Sequence, residues 1–162
     1  MTRRSTARRA GVTQRWSRLA ALALSAVAMA LIEAMVVYYL RKLFALQFDT
    51  RVTQKDFHFP QAYLHYEQAR EAATIVVLLA VAFLSARTWL ERLGAFLFAF
   101  GVWDIFYYVW LKVLLRWPPS PGTRDLLFLM PGEWFAPVWQ PLLVSCGCVA
   151  AGVWLLLRRP AK

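Results

Sequence analysis

Four long apolar stretches, separated by polar or proline-bearing segments, set the pattern of this chain. The first runs from Leu19 to Leu40 without a break, about 22 residues, enough to span roughly 30 Å of hydrocarbon. It predicts a helix over about 19–42. ALSAVAMA offers small-residue cleavage sites behind a basic start, but the apolar run continues through LIEAMVVYYL, so an uncleaved helix is expected. Pro60 suits the first turn of a second helix over about 61–90, which enters the apolar phase near Ala72. Glu91 and Arg92 then read as a very short turn, and a third helix follows over about 93–116, antiparallel to the second. RWPPSPGTRD cannot continue it. LLFLMPGEWF is too short to span a membrane and is interrupted by Pro131-Gly132. It reads as an interfacial or re-entrant segment, with Trp134 and Trp139 at head-group level. A fourth helix is expected over about 138–157.

The fold class expected is therefore all-α: an integral membrane four-helix bundle over 19–162, preceded by a basic tail over 1–18. The tail has six arginines and no acid and reads as disordered and cytoplasmic. Composition agrees, with 60% hydrophobic residues and a mean hydropathy of +0.45, more than a soluble domain of this size carries. The net charge of +10 resides mostly in lysines and arginines flanking the apolar runs. That is the distribution found beside anionic lipid, and it argues against nucleic acid as a partner. With the amino terminus inside, 11 lysines and arginines fall on the cytoplasmic side and eight on the other. Both termini are thus expected in the cytoplasm of a bacterial inner-membrane protein.

Depth arithmetic points to candidate chemistry. At about 1.5 Å per residue, Asp104 comes to lie about 17 Å into the third helix, near mid-bilayer, and Glu33 about one turn further out. Tyr107 and Tyr108, at i+3 and i+4, share the face of Asp104. Ser145 of the fourth helix falls close to the same level. Carboxylates at such depth are costly, so Glu33, Asp104, Tyr107, Tyr108 and Ser145 form a candidate polar layer, either a proton-titrating or cation-binding site or a set of contacts holding helices together. A second group gathers at the outer face. It comprises His58, His65, Glu67, Arg70 and Glu71, joined by Arg41 and by Asp125 and Glu133. Arg41, Arg70 and Arg124 there could meet lipid phosphate.

Other chemistry lacks support. There is no HExxH, ExxH or paired CxxC, so no metal is expected. Cys146 and Cys148, at i and i+2 of one helix, diverge and read as packing residues. Both histidines lie outside the apolar spans, which argues against haem, and no cofactor is expected. Gly94 with Gly101, and Gly147 with Ala151, suggest close helix packing within the bundle or in a dimer.

The runs FGVWDIFYY, LLRWPPSP, RDLLFLMPGEW and PVWQP, with IEAMVVYYLRKL and EQAREAATIVVLLAVA, resemble an uncharacterised family of small four-helix bacterial inner-membrane proteins. The resemblance covers nearly the whole chain beyond the tail. It implies architecture and location but no substrate, and it draws attention to Glu33, Arg41, Arg70, Glu71, Asp104 and Asp125. Three functions remain open. One is a non-enzymatic subunit, scaffold or assembly factor, surrounded by lipid and working as a homo-oligomer or in a larger complex. Another is a small proton-coupled transporter using Asp104 and Glu33. The last is an enzyme acting on a lipid or quinone at the outer interface, with Glu67, Glu71 and Asp125 as its acids. A transporter would set Asp104 beside water, an enzyme would open a groove near Trp134, and a scaffold would expose a small-residue face.

Overall fold

The computed structural model describes residues 2–44, 61–129 and 134–158. Its elements are α1 (Thr2–Phe44), α2 (Gln61–Ser85), α3 (Trp89–Leu115), β1 (Arg124–Phe128), β2 (Trp134–Pro137) and α4 (Trp139–Leu157). Among the described residues, four helices are long and apolar enough to cross a membrane: Gln14–Arg41, Leu64–Ser85, Trp89–Leu115 and Trp139–Leu157. These are the spans of a multi-pass membrane protein. The polar segment 47–60, Pro131-Gly132 and Glu133 lie outside the described residues.

Three boundaries differ from the sequence expectation, each for a local reason. α1 begins at Thr2, so the segment expected to be a disordered tail is helical. Its arginines and alanines are good helix formers, and extending a formed helix costs far less than starting one. The turn between α2 and α3 lies at residues 86–88 instead of Glu91-Arg92. Thr88 caps α3, its hydroxyl accepting the Glu91 N–H at 3.3 Å, in the T-x-x-E spacing of a capping box.

The largest departure is between α3 and α4, where the all-α expectation fails. β1 and β2 form an antiparallel hairpin that pairs Asp125 with Ala136 and Leu126 with Phe135, with an irregularity before Phe128–Trp134. Val138 N–H donates to Thr123 O at 2.9 Å and Trp139 N–H to Pro121 O at 3.0 Å, joining the hairpin base to the start of α4. The apolar run is thus two short strands about a Pro-Gly break.

α3 is the hub. It is the most buried of the spans and packs against α1, α2 and α4, whereas α1 and α2 touch each other little. α3 and α4 approach backbone to backbone at glycines. A Cβ on Gly152 would lie 2.6 Å from Phe98 N and 2.7 Å from Gly94 O, and one on Gly101 would lie 2.5 Å from Ser145 O. Gly147 has open space around it, and Ala151 is exposed. The Gly147–Ala151 pair therefore does not serve the bundle, and Gly152 takes that role. An apolar core of Leu22, Ala26, Ala30, Leu78, Ala82, Ala95, Phe98 and Ala99 fills the half of the bundle away from the hairpin. A smaller cluster of Ala34, Tyr108, Leu111, Trp117 and Val138 lies at the hairpin end.

Candidate functional site

Between these clusters lies a cavity of about 110 Å³. Its walls are the carboxy-terminal halves of α1 and α3 and the start of α2, and the hairpin forms its roof through Asp125 and Leu126–Leu129. The two groups expected from the sequence, a buried polar layer and an outer-face set, meet here as one site. Glu33, Asp104, Tyr107 and Tyr108 of the first and Arg41, Arg70, Glu71 and Asp125 of the second all line it. Ser145 stands behind Asp104, outside the lining.

The partners differ from those expected. Glu33, buried on α1, does not turn to Asp104. Its carboxylate pairs with the Arg70 guanidinium and accepts from the Thr74 hydroxyl, both on α2. Arg70 also grips Glu67, one turn back on its own helix, through Nε and a terminal nitrogen, each 2.8 Å from the same oxygen. A guanidinium suits this position because its planar fork can serve two carboxylates at once. These ion pairs at the start of α2 are largely withdrawn from solvent, with Glu67 only 8% exposed.

Asp104 accepts the Ser145 hydroxyl at 2.7 Å. The two are 41 residues apart, on α3 and α4, and the close approach at Gly101 brings them together. Tyr108 does not bond Asp104. It donates to Asp125 at 3.0 Å, and Leu126 N–H donates to the other Asp125 oxygen at 2.9 Å. Burial pushes the Asp125 carboxyl up to about 7, against the lowering effects of Tyr108, Arg41 and the Leu126 amide. A carboxyl that titrates near neutrality thus sits in the roof of the cavity. Arg41 completes this side, its guanidinium 4.4 Å from the centre of the Trp117 ring, a cation–π arrangement.

α2 also holds the hairpin. Glu71 accepts Leu129 N–H with both oxygens, at 3.1 and 3.2 Å, and the Gln68 amide donates to Leu129 O at 3.2 Å. Spaced i and i+3 on one helix face, these side chains satisfy both backbone groups of Leu129 much as a neighbouring strand would. Trp103 lines the cavity beside Asp104, is 8% exposed, and has an indole N–H without an acceptor among the described residues.

Sequence reasoning missed Thr74, Gln68 and Trp103. Thr74 lies one turn beyond Arg70 at the level of Glu33, so the same depth arithmetic would have reached it. Gln68 could be recognised only once the hairpin was known. Among the described residues no group of three or more His, Cys, Asp or Glu could hold a metal ion. His65 and Arg124 are exposed, off the cavity wall, and Cys146 and Cys148 are unbridged. No protein-family model, curated protein or solved structure matches the chain.

Proposed function

We propose that this protein is a non-enzymatic component of the bacterial inner membrane, both termini cytoplasmic, that binds a small polar ligand in the cavity beneath its hairpin. The observation that carries this reading is the convergence of buried and half-buried acids and two half-buried guanidiniums from α1, α2, α3 and the hairpin on one space. A purely structural polar layer would close on itself and leave no room between its members. The orientation draws support from the excess of lysine and arginine on the tail side of the spans. A role as subunit of a larger assembly or homo-oligomer draws support from the exposed Gly147 and Ala151 on α4, since small residues let a partner helix approach closely. The resemblance to small four-helix inner-membrane proteins fits the same location.

One observation favours a second reading, a proton-coupled carrier: Asp104 lies on the cavity wall. Glu33 is held by Arg70 and Thr74, so Asp104 would be the coupling acid. The reading as an interfacial enzyme on a lipid or quinone gains less. Its groove was expected near Trp134, which is not among the cavity-lining residues.

Native mass spectrometry of the full chain in mild detergent tests the reading. The wild type should carry a non-covalent adduct that Asp104→Leu, which narrows the cavity and removes its deepest acid, loses. A wild type without adduct, or an adduct unchanged in the variant, contradicts it.

A further inference from the structure

A second recess lies at the end of the bundle away from the hairpin, on the surface between α2 and α3. It is a groove of about 400 Å³. Val76, Leu79 and Phe83 of α2 and Leu93 and Phe96 of α3 line it, and the small side chains of Ala80 and Ala82 leave it hollow. All of these residues lie within membrane spans, so the groove opens to lipid. From Val76 to Phe83 it runs about 10 Å along α2. An apolar space of about 150 Å³ holds benzene, so this one takes a length of acyl chain.

The charged end of the groove says what kind of molecule that chain belongs to. Arg92 lines the groove beside the turn between α2 and α3. Its guanidinium lies over the Phe83 ring, 3.6 Å from the centre, and its Nε donates to Ala86 O at 3.2 Å. Stacking and that one bond fix the plane of the fork. The two terminal nitrogens make no hydrogen bond or ion pair among the described residues. Glu91, next in sequence, is engaged elsewhere: Arg18 and the Arg87 N–H each approach it at 3.4 Å. Around this turn Arg18, Arg87 and Arg92 thus stand with Glu91 as the acid, and Arg87 is exposed.

We propose that the groove binds one anionic phospholipid. An acyl chain lies along Val76 to Phe83, and two phosphate oxygens accept from the terminal nitrogens of Arg92, the fork geometry that guanidinium and phosphate share. The net positive charge of the turn selects an anionic headgroup over a zwitterionic one, whose ammonium Arg87 would repel. An apolar helix seated in the groove would leave the Arg92 fork without an acceptor. The site does not rest on the cavity beneath the hairpin; only its assignment to the cytoplasmic leaflet follows from the orientation proposed above.

The test uses the full chain in nanodiscs holding equal parts of phosphatidylglycerol, phosphatidylethanolamine and phosphatidylcholine, with the lipid retained on release read by native mass spectrometry. One phosphatidylglycerol per chain should be kept, about fivefold over either zwitterionic lipid, which corresponds to about 1 kcal/mol for one arginine beside anionic lipid. Arg92→Gln should remove that preference. Ala80→Phe fills the groove from an exposed position without changing the charge, and should lower retention of all three lipids. It tests the groove even if Arg92→Gln fails to fold, which unfolding temperatures reveal. Arg3→Gln with Arg4→Gln removes two charges from the start of α1 and should leave the preference in place, which separates a site from general attraction. Equal retention of the three lipids, a preference that survives Arg92→Gln or is lost with the α1 arginines, or retention untouched by Ala80→Phe overturns the proposal. A protein that co-purifies with the wild type and is lost in Ala80→Phe would assign the groove to a partner helix and overturn it as well.

Discussion

Arg70 of α2 and Glu33 of α1 form an ion pair across an interface where the two helices otherwise barely touch. The contact is reinforced by Thr74, one turn beyond Arg70, which bonds the other Glu33 oxygen. α2 is thus tied to α1 by these polar contacts at its outer end, and to the hairpin by Glu71 and Gln68 at Leu129. The cavity lies where these fastenings meet.

Arg70→Leu leaves Glu33 and Glu67 buried without their shared cation. A broken buried pair costs about 3–5 kcal/mol, so a large fall in unfolding temperature in detergent is expected. Arg70→Lys should recover only part of it, because one ammonium cannot reproduce the guanidinium fork. Glu33→Gln, which keeps a hydrogen-bonding group beside Thr74, should cost less than Arg70→Leu.

Asp125 gives the fold a pH dependence of defined sign. Its folded value of about 7 lies above its ordinary 3.8. Between about pH 4 and 7 the folded protein therefore keeps a proton that the unfolded chain has released. Stability falls as pH rises through that window and levels off above it, by about 4 kcal/mol at most. Arg41 of α1 and Tyr108 and Asp104 of α3 are the charged or titratable groups that act on it. Thermal unfolding from pH 5 to 8 should show this slope in the wild type and a flatter profile in Asp125→Asn. Tyr108→Phe removes a donor to the carboxylate and should carry the falling limb to higher pH.

The α3–α4 contact separates two glycines that look alike in sequence. Gly152→Ala would place a methyl 2.6–2.7 Å from backbone atoms of α3, and overpacking of that kind costs about 1–3 kcal/mol. Gly147→Ala meets nothing within 4 Å and should leave monomer stability unchanged or slightly raised. Unfolding temperatures of the two variants side by side decide it.

Ser145→Ala removes the hydroxyl that Asp104 accepts. Loss of a buried partner costs about 1–3 kcal/mol. Asp104→Asn in the same background should recover part of that loss, because an amide needs its partner less than a carboxylate does. A double-mutant cycle on unfolding free energy reads the coupling.

Much of the architecture was legible because membrane spans are written in unbroken apolar length, and α1 to α4 each show it. The hairpin was harder. Leu126 to Phe135 reads as a single apolar run when judged by hydropathy, although two Leu/Phe/Trp-rich pieces either side of Pro131-Gly132 are also a hairpin signal. The Thr88–Glu91 cap is hidden in the sequence because charged Glu91 and Arg92 resemble a turn. For the site, depth along each helix could be reckoned from the sequence, which is why Glu33, Asp104, Tyr107, Tyr108 and Ser145 were picked out together. Rotation about each helix could not be reckoned. Glu33 therefore meets Arg70 instead of Asp104, and Tyr108 meets Asp125. The division into an inner layer and an outer set failed because the hairpin folds back over the bundle and sets Asp125 above Asp104.

A cavity walled by charged side chains reaches Asp104 from the hairpin end, while the other half of the bundle is closed by apolar packing. Thiol accessibility in intact membranes tests it most directly. With Cys146→Ala and Cys148→Ala as background, a thiol introduced by Asp104→Cys should react with a small cationic methanethiosulfonate. One introduced by Ala99→Cys, fully buried in the apolar core, should not. Labelling at neither position, or at both equally, would contradict the account.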